Sequence, residues 1–197
     1  MLDVSTKILY LFFQRPSTPL PVHPTEKECI AMYTLELARE ADVQRRGEIL
    51  DEGRAFQRAQ GFVQWTEDYP NTNTIREDIQ NRKGYVIRFD GAIAACLCID
   101  FDGEPAYREI QGAWQTEEPY AVVHRMAFAD EFRGRGLTET AFRLIEALCR
   151  ENGVQSLRVD TDPSNQRMQH ILEKNGFSHR GTIFFQGGER MAYDKAL

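Results

Sequence analysis

The feature that most constrains this chain is an apolar run, Val122–Phe128, followed by Arg133-Gly134-Arg135-Gly136-Leu137 and by Leu137, Ala141, Leu144, Ile145 and Leu148 at helical spacing. The pattern predicts a strand, a tight glycine turn and an amphipathic helix running to Glu151, with Asn152-Gly153 as its stop. Two glycines at a helix start let backbone N–H groups point outward, and the helix macrodipole adds partial positive charge there. Such a turn suits phosphate oxygens, and Arg133 and Arg135 can add charge-assisted contacts beside it.

This unit sits within further strands and helices. Tyr33–Leu37 alternates as a short strand, and Asp42–Gln60 reads as a helix stopped by Gly61. Phe62–Thr74 reads as a loop leading to a short helix, Ile75–Gln80. Tyr85–Phe89, Asp90-Gly91 and Ala92–Asp100 make a hairpin, because Asp-Gly tolerates the positive φ angles of a tight turn. An irregular acidic loop, Phe101–Pro119, leads into Tyr120–Phe128. After the central helix come a strand, Leu157–Asp160, and a helix opened by Pro163 and Ser164 with Met168, Ile171 and Leu172 on one face. Asn175-Gly176 ends that helix, and Gly181–Phe185 with Arg190–Tyr193 form a last hairpin around Gly187-Gly188.

A length of 197 residues suits one domain. Pro16, Pro19, Pro21 and Pro24 disfavour regular structure, so residues 1–30 are expected to be an extension or linker outside the fold, with a single domain over 31–197. The extension reads as an arm, as a partner-binding segment, or as an upstream start with Met32 the natural initiator.

With 24 Lys+Arg against 30 Asp+Glu, the net charge of −6 argues against nucleic acid as a partner. No apolar run approaches the roughly 18 residues of a membrane span, so no membrane partner is expected. Cys29, Cys96, Cys98 and Cys149 are too scattered to staple the fold, and they read as reduced thiols of a cytoplasmic protein. Cys96 and Cys98 lack C-x-x-C spacing, and His23, His170 and His179 have no metal-like partners, so no metal is implied.

Spacing separates the phosphate-binding alternatives. A P-loop, G-x-x-x-x-G-K-[ST], is absent. A dinucleotide turn, G-x-G-x-x-G, fits Gly134 and Gly136 but finds Glu139 at its third glycine, although Asp160 could mimic the ribose-binding acid of that fold. A turn used only for tight packing would have no use for flanking arginines. The remaining motif, Arg-x-x-Gly-x-Gly/Ala, aligns with Arg133, Gly136 and Thr138. A second segment accompanies it: Asp160-Thr161-Asp162-Pro163-Ser164-Asn165, then Met168 and Leu172-Glu173-Lys174-Asn175-Gly176-Phe177.

On these two segments, and on the element order from Met32 to Tyr193, the chain resembles the GCN5-related N-acetyltransferase (GNAT) superfamily. The resemblance implies an α/β fold with a mixed, splayed central sheet flanked by helices in three layers. It implies acetyl-coenzyme A as co-substrate, its pyrophosphate on Arg133, Gly134, Arg135, Gly136, Leu137 and Thr138. The pantetheine arm would pair with the backbone of Met126, Ala127 and Phe128, and Asn165 would reach it from the other side. Thr138 departs from the usual Gly or Ala, but its N–H is unaffected.

The implied reaction is direct attack by a primary amine in a ternary complex. It needs a donor for the carbonyl oxygen, which Phe128 N–H or a neighbour at a strand bulge can supply, and a base. His124, expected on one strand face with Met126 and Phe128, is the candidate base. The family's usual tyrosine acid is replaced by Leu172, which leaves Tyr120, Tyr193 or Cys149 as substitutes, or an unassisted thiolate. That replacement also keeps open a non-catalytic coenzyme A-binding sensor, beside the dinucleotide-binding alternative. On the acceptor side, Asp100, Asp102, Glu104, Glu117 and Glu118 are acidic, and Trp65, Tyr69 and Trp114 are candidate aromatic walls. The acceptor reads as a small-molecule or protein amine, and the protein as a monomer or homodimer.

Overall fold

Asp90 and Gly91 form the turn expected of them, with φ of 48° and 80°, and join β2 (Gly84–Phe89) to β3 (Ala92–Asp100) as an antiparallel hairpin. The computed structural model describes residues 33–117 and 119–197, so the expected N-terminal extension, Cys29 and Glu118 lie outside the described residues. β1 (Tyr33–Leu37) pairs with β2, and a short 3₁₀ turn leads from it to helix α1 (Val43–Ala59). α2 (Thr72–Gln80) starts earlier than Ile75 because Asn71 caps it, its side-chain oxygen accepting the Asn73 and Thr74 N–H groups.

The acidic loop is more ordered than its composition predicts. It holds a 3₁₀ turn, Pro105–Glu109, and a two-residue strand β4 (Gln111–Gly112). β5 (Ala121–Phe128), α3 (Leu137–Glu151) and β6 (Ser156–Thr161) follow. α4 (Gln166–Lys174) begins after Pro163 and Ser164, with Asn165 as its cap. β7 (Ser178–Phe185) and β8 (Gly188–Ala196) form the last hairpin, and β4 adds to the β7 edge.

The described residues form an α/β fold: one mixed sheet of eight strands, ordered β1-β2-β3-β5-β6-β8-β7-β4, flanked by four helices. α1 packs against β3 and β5, α2 against β2, and α4 against β7. The main core runs from Ile49 and Leu50 through Val86, Ile87 and Leu97 to Phe142, Ile145 and Leu172. A smaller apolar cluster, Tyr107, Tyr120, Val122, Ile183 and Ala192, lies under the acidic loop. Cys96, Cys98 and Cys149 are free and buried, and burial pushes their thiols up to about 11, 12 and 12. No helix among the described residues is long and apolar enough to cross a membrane.

Candidate active site

Two irregularities of β5 build the site. The first is its pairing with β6, the parallel contact in the sheet, which covers only Ala121↔Leu157 and Val122↔Arg158 before the strands part. Ala129 N–H donates to Ala94 O at 3.0 Å. Since successive amides of a strand alternate in direction, Phe128 turns its N–H and C=O away from β3, into the gap that β6 has left. The second irregularity is a bulge. Cys98 pairs with His124 and Cys96 with Ala127, so Leu97 is opposed by both Arg125 and Met126, and Arg125 has φ 52°.

Past the bulge, a cavity of about 320 Å³ opens beside the glycine turn. Met126, Ala127, Phe128, Arg133, Gly134, Gly136, Leu137, Thr138 and Asn165 all line it. Gly134 and Gly136 have φ of 75° and 73°, and a Cβ at either would meet no atom within 4 Å, so the space above them is an open cradle. Gly136 caps α3 without a side-chain hydrogen bond; Glu139 N–H turns back to Gly136 O at 3.3 Å, and the N–H groups of Leu137 and Thr138 have no intrahelical acceptor. Arg133 pairs with Asp130 and lies over the Phe56 ring at 4.6 Å, while Arg167 lies over the same ring at 5.3 Å. With Lys174 also on the wall, the mouth is cationic in an acidic protein. Arg135 is placed apart from this lining, its guanidinium 5.9 Å from the Phe132 ring.

Before the bulge lies a smaller cavity of about 90 Å³, which shares Gln57, Met126, Asn165 and Met168 with the larger one. His124 and Trp65 line this smaller cavity together with Tyr69, Arg125, Asp160 and Phe185. The face expected to carry His124, Met126 and Phe128 together is thus divided: the extra residue at the bulge breaks the alternation, and His124 does not reach the larger cavity. Arg125 donates to Asp78 through Nη2 (2.6 Å) and Nε (3.3 Å) and to the Tyr69 hydroxyl through Nη1 (2.7 Å).

Burial, aided by the Arg125 charge, pushes the His124 imidazole down to about 4. Glu104 Oε2 stands 3.7 Å from its Nε2, outside hydrogen-bond range. An imidazole so placed is uncharged at pH 7 and holds a proton weakly, which weighs against the base role expected of His124.

Other expected residues are placed away from both cavities. Trp114 donates its indole N–H to Tyr107 O at 2.9 Å and stacks against Arg158, a structural position in the small apolar cluster. Glu117 is exposed and offers its backbone oxygen to Ser156 Oγ. Leu172 is fully buried in the main core, and neither Tyr120, Tyr193 nor Cys149 lines either cavity, so none of the three is placed to protonate a leaving group there. No group of three or more metal-ligating side chains occurs among the described residues.

Sequence reasoning missed Phe56, Arg167 and Lys174 on the larger cavity and Gln64, Phe185 and Gln186 on the smaller one. Arg167 and Lys174 were findable, since they share with Asn165 the segment that follows β6. The others come from elements whose approach only the fold reveals. Gly53 is one such link: a Cβ there would stand 2.9 Å from the Trp65 ring, so its absence lets α1 close onto the wall of the smaller cavity.

Residues 48–177 match the acetyltransferase (GNAT) family. Comparison with curated proteins gives no match. Among solved structures, the chain is similar to a GNAT-family acetyltransferase from Streptococcus agalactiae 2603, with 33% identity, 84% of this chain and 95% of that chain covered, and a TM-score of 0.76. A GNAT-family acetyltransferase from Listeria monocytogenes 4b F2365 shares 19% identity over 84% and 95% of the chains, with a TM-score of 0.67. AAC(6')-Ib, solved with ribostamycin and coenzyme A, shares 20% over 83% and 93%, with a TM-score of 0.62. This chain belongs to the acetyltransferase (GNAT) family, and its mixed sheet is not the parallel sheet of the dinucleotide-binding alternative.

Proposed function

Starting from that membership, we propose that the protein moves an acetyl group from acetyl-coenzyme A to a primary amine by direct attack within a ternary complex. The observation that carries this reading is the adjacency of the two cavities: an open cradle at Gly134–Thr138 leads along an unpaired strand edge to a second chamber that shares Met126 and Asn165 with the first. The donor, when bound, supplies an activated thioester and an anionic pyrophosphate.

The chain's own groups then divide the work. The N–H groups of the glycine turn and of the first turn of α3 receive phosphate oxygens, and Arg133 adds charge. The backbone of Met126–Phe128 offers the pantetheine arm a strand-like partner, and Phe128 N–H is directed where a carbonyl oxygen can become an oxyanion. Asn165 spends its Oδ1 on the Met168 N–H (3.1 Å) and so meets a ligand with its amide donor. Met126 and Asn165, which line both cavities, stand where the amine and the thioester would be brought into line. As the C–N bond forms and the C–S bond breaks, the amine nitrogen gives up a proton and the thiolate takes one from solvent, consistent with a leucine at 172.

Thiol release from acetyl-coenzyme A over a panel of primary amines tests the reading, with calorimetry for donor binding. Donor binding and amine-dependent release are expected. Tight binding with no release on any amine would replace the enzyme by a coenzyme A-binding sensor.

A further inference from the structure

Several polar side chains of the smaller cavity are turned the same way. Gln64 Oε1 accepts the Asp162 N–H at 3.2 Å, and Gln57 Oε1 accepts the N–H groups of Gln64 (3.2 Å) and Trp65 (3.0 Å). Only the oxygen of a carboxamide can meet a backbone N–H, so these bonds fix how each amide faces. Neither NH2 group then has an acceptor among the described residues. Gln57 is only 8% exposed, yet its nitrogen is not sealed off, so the space it reaches is that of the cavities it lines. Tyr69 repeats the pattern with a hydroxyl. It accepts from Arg125 Nη1 at 2.7 Å, which leaves its own proton to donate, and no acceptor for that proton occurs among the described residues.

The charge around Arg125 has the matching sign. Arg125 binds Asp78 through Nη2 and Nε, but Arg46 Nη2 stands 3.5 Å from the same carboxylate, so two buried guanidiniums share one anion. That positive charge is felt within the cavity: after burial, it is the largest influence holding the His124 imidazole low. Asp160, the carboxylate on the wall, accepts the Tyr107 hydroxyl at 2.7 Å and faces Arg190 at 4.0 Å. Glu104, 3.7 Å from His124 Nε2, does not line the cavity. Two amides, a phenol and a guanidinium thus offer hydrogens that the protein itself leaves unmet, and buried donors of this kind call for oxygen lone pairs. An oxyanion accepts several such bonds at once and needs none in return, whereas an ammonium, all donor, could take none of them.

We propose that the acceptor amine carries a carboxylate or a similar oxyanion, which Gln57, Gln64, Tyr69 and Arg125 receive in the smaller cavity. The inference rests on the acetyl-transfer reading and adds to it the acceptor's class. With the oxyanion held there, the amine end is left to face Met126 and Asn165, where the two cavities meet. Arg125 positions the Tyr69 hydroxyl, and the backbone bonds of Gln57 and Gln64 hold their NH2 groups ready. Amino carboxylates and aminophosphonates share this chemistry. A carboxamide of the same shape does not, because its NH2 would meet donors.

The test measures kcat/KM over the standard amino acids, their carboxamides, the matching 1-aminoalkylphosphonates and glucosamine, alongside acetyl-coenzyme A affinity. The best oxyanion-bearing amine should exceed its carboxamide at least tenfold, and the faster of carboxylate and phosphonate identifies the source. Tyr69→Phe should lower kcat/KM about tenfold for that substrate and less than threefold for its carboxamide, with donor affinity unchanged. Gln64→Glu keeps an oxygen for the Asp162 N–H and sets a like charge beside the ligand. It should cost the oxyanion substrate about a hundredfold and reverse the preference toward the carboxamide, a reversal that a misfolded variant would not show. This second variant decides the matter if Tyr69→Phe fails to fold. A carboxamide or glucosamine used as well as the best oxyanion, or a preference that survives both substitutions, would overturn the inference and leave acetyl transfer standing. Failure to bind acetyl-coenzyme A, or to release thiol with any amine, would remove the acetyl-transfer reading and the inference with it.

Discussion

The larger and the smaller cavity meet at Met126 and Asn165 and are built in opposite ways. The larger one draws nine of its 21 lining residues from one stretch, 126–138, which holds a strand edge, a glycine turn and a helix start, and α1 and α4 complete its wall. The smaller one presents side chains from α1, the loop after it, β5, β6 and the β7–β8 turn. A surface made of backbone recognises what is constant in a ligand and survives most substitutions. One made of side chains gathered from across the fold changes its preference with a single residue.

Perturbing each half should therefore have unlike effects. Gly136→Glu places a carboxylate in the open cradle and should reduce acetyl-coenzyme A affinity about a thousandfold, or ~4 kcal/mol, by calorimetry. The positive φ there should add a stability loss of only about 1 kcal/mol. If affinity held, the cradle would not be the phosphate site and the contrast between the cavities would fail.

His124→Gln probes the other half through acid stability. The folded imidazole titrates near 4 and the unfolded one near 6.5, so its contribution is intact above pH 6.5 and is lost as pH falls from 6.5 toward 4. The variant should escape about 3 kcal/mol of that acid destabilisation, measured by denaturant melts at pH 7 and pH 4. Its pH–rate profile above pH 6 should keep the wild-type shape, and a lost inflection near neutrality would restore His124 as the base.

Arg133→Ala should weaken acetyl-coenzyme A by ~1.5–3 kcal/mol, the scale of one charged hydrogen bond, and leave the amine KM alone. Leu172→Tyr sharpens the comparison from the core side. Leu172 is fully buried, so the larger ring should cost about 1–3 kcal/mol of stability and give no gain in rate. A faster enzyme would show that position 172 can reach the thiolate.

Most of the backbone-built half was readable from the chain alone. Gly134, Gly136 and the apolar positions of α3 are neighbours in sequence, and local rules of glycine turns and amphipathic helices determine what they form. The bulge was expected only as a possibility at β5, and its location at Arg125 follows from pairing with β3, a partner about 30 positions earlier. Without it His124 would have shared the face of Met126, as strict alternation predicts. Trp114 and Glu117 were grouped by the acidity and aromaticity of their loop, but the loop docks on Arg158 and Ser156 and turns them away from the cavities. Asp160 was visible as the end of a strand. Its hydrogen bond from Tyr107 was not, because Tyr107 is brought to it by a 3₁₀ turn whose acidic surroundings concealed it.

The bulge also determines which kinds of sequence change this protein can tolerate. Met126 to Thr138 are held beside the larger cavity by the same extra residue that leaves His124 on the smaller one. Deleting any one residue between His124 and Ala127 would restore the regular ladder and draw the glycine turn back along β5 by about 3.3 Å, the rise of one residue. Both chambers would then be intact in composition and misaligned with each other. Point substitutions can retune either chamber by itself, whereas insertions and deletions in this short stretch act on both at once.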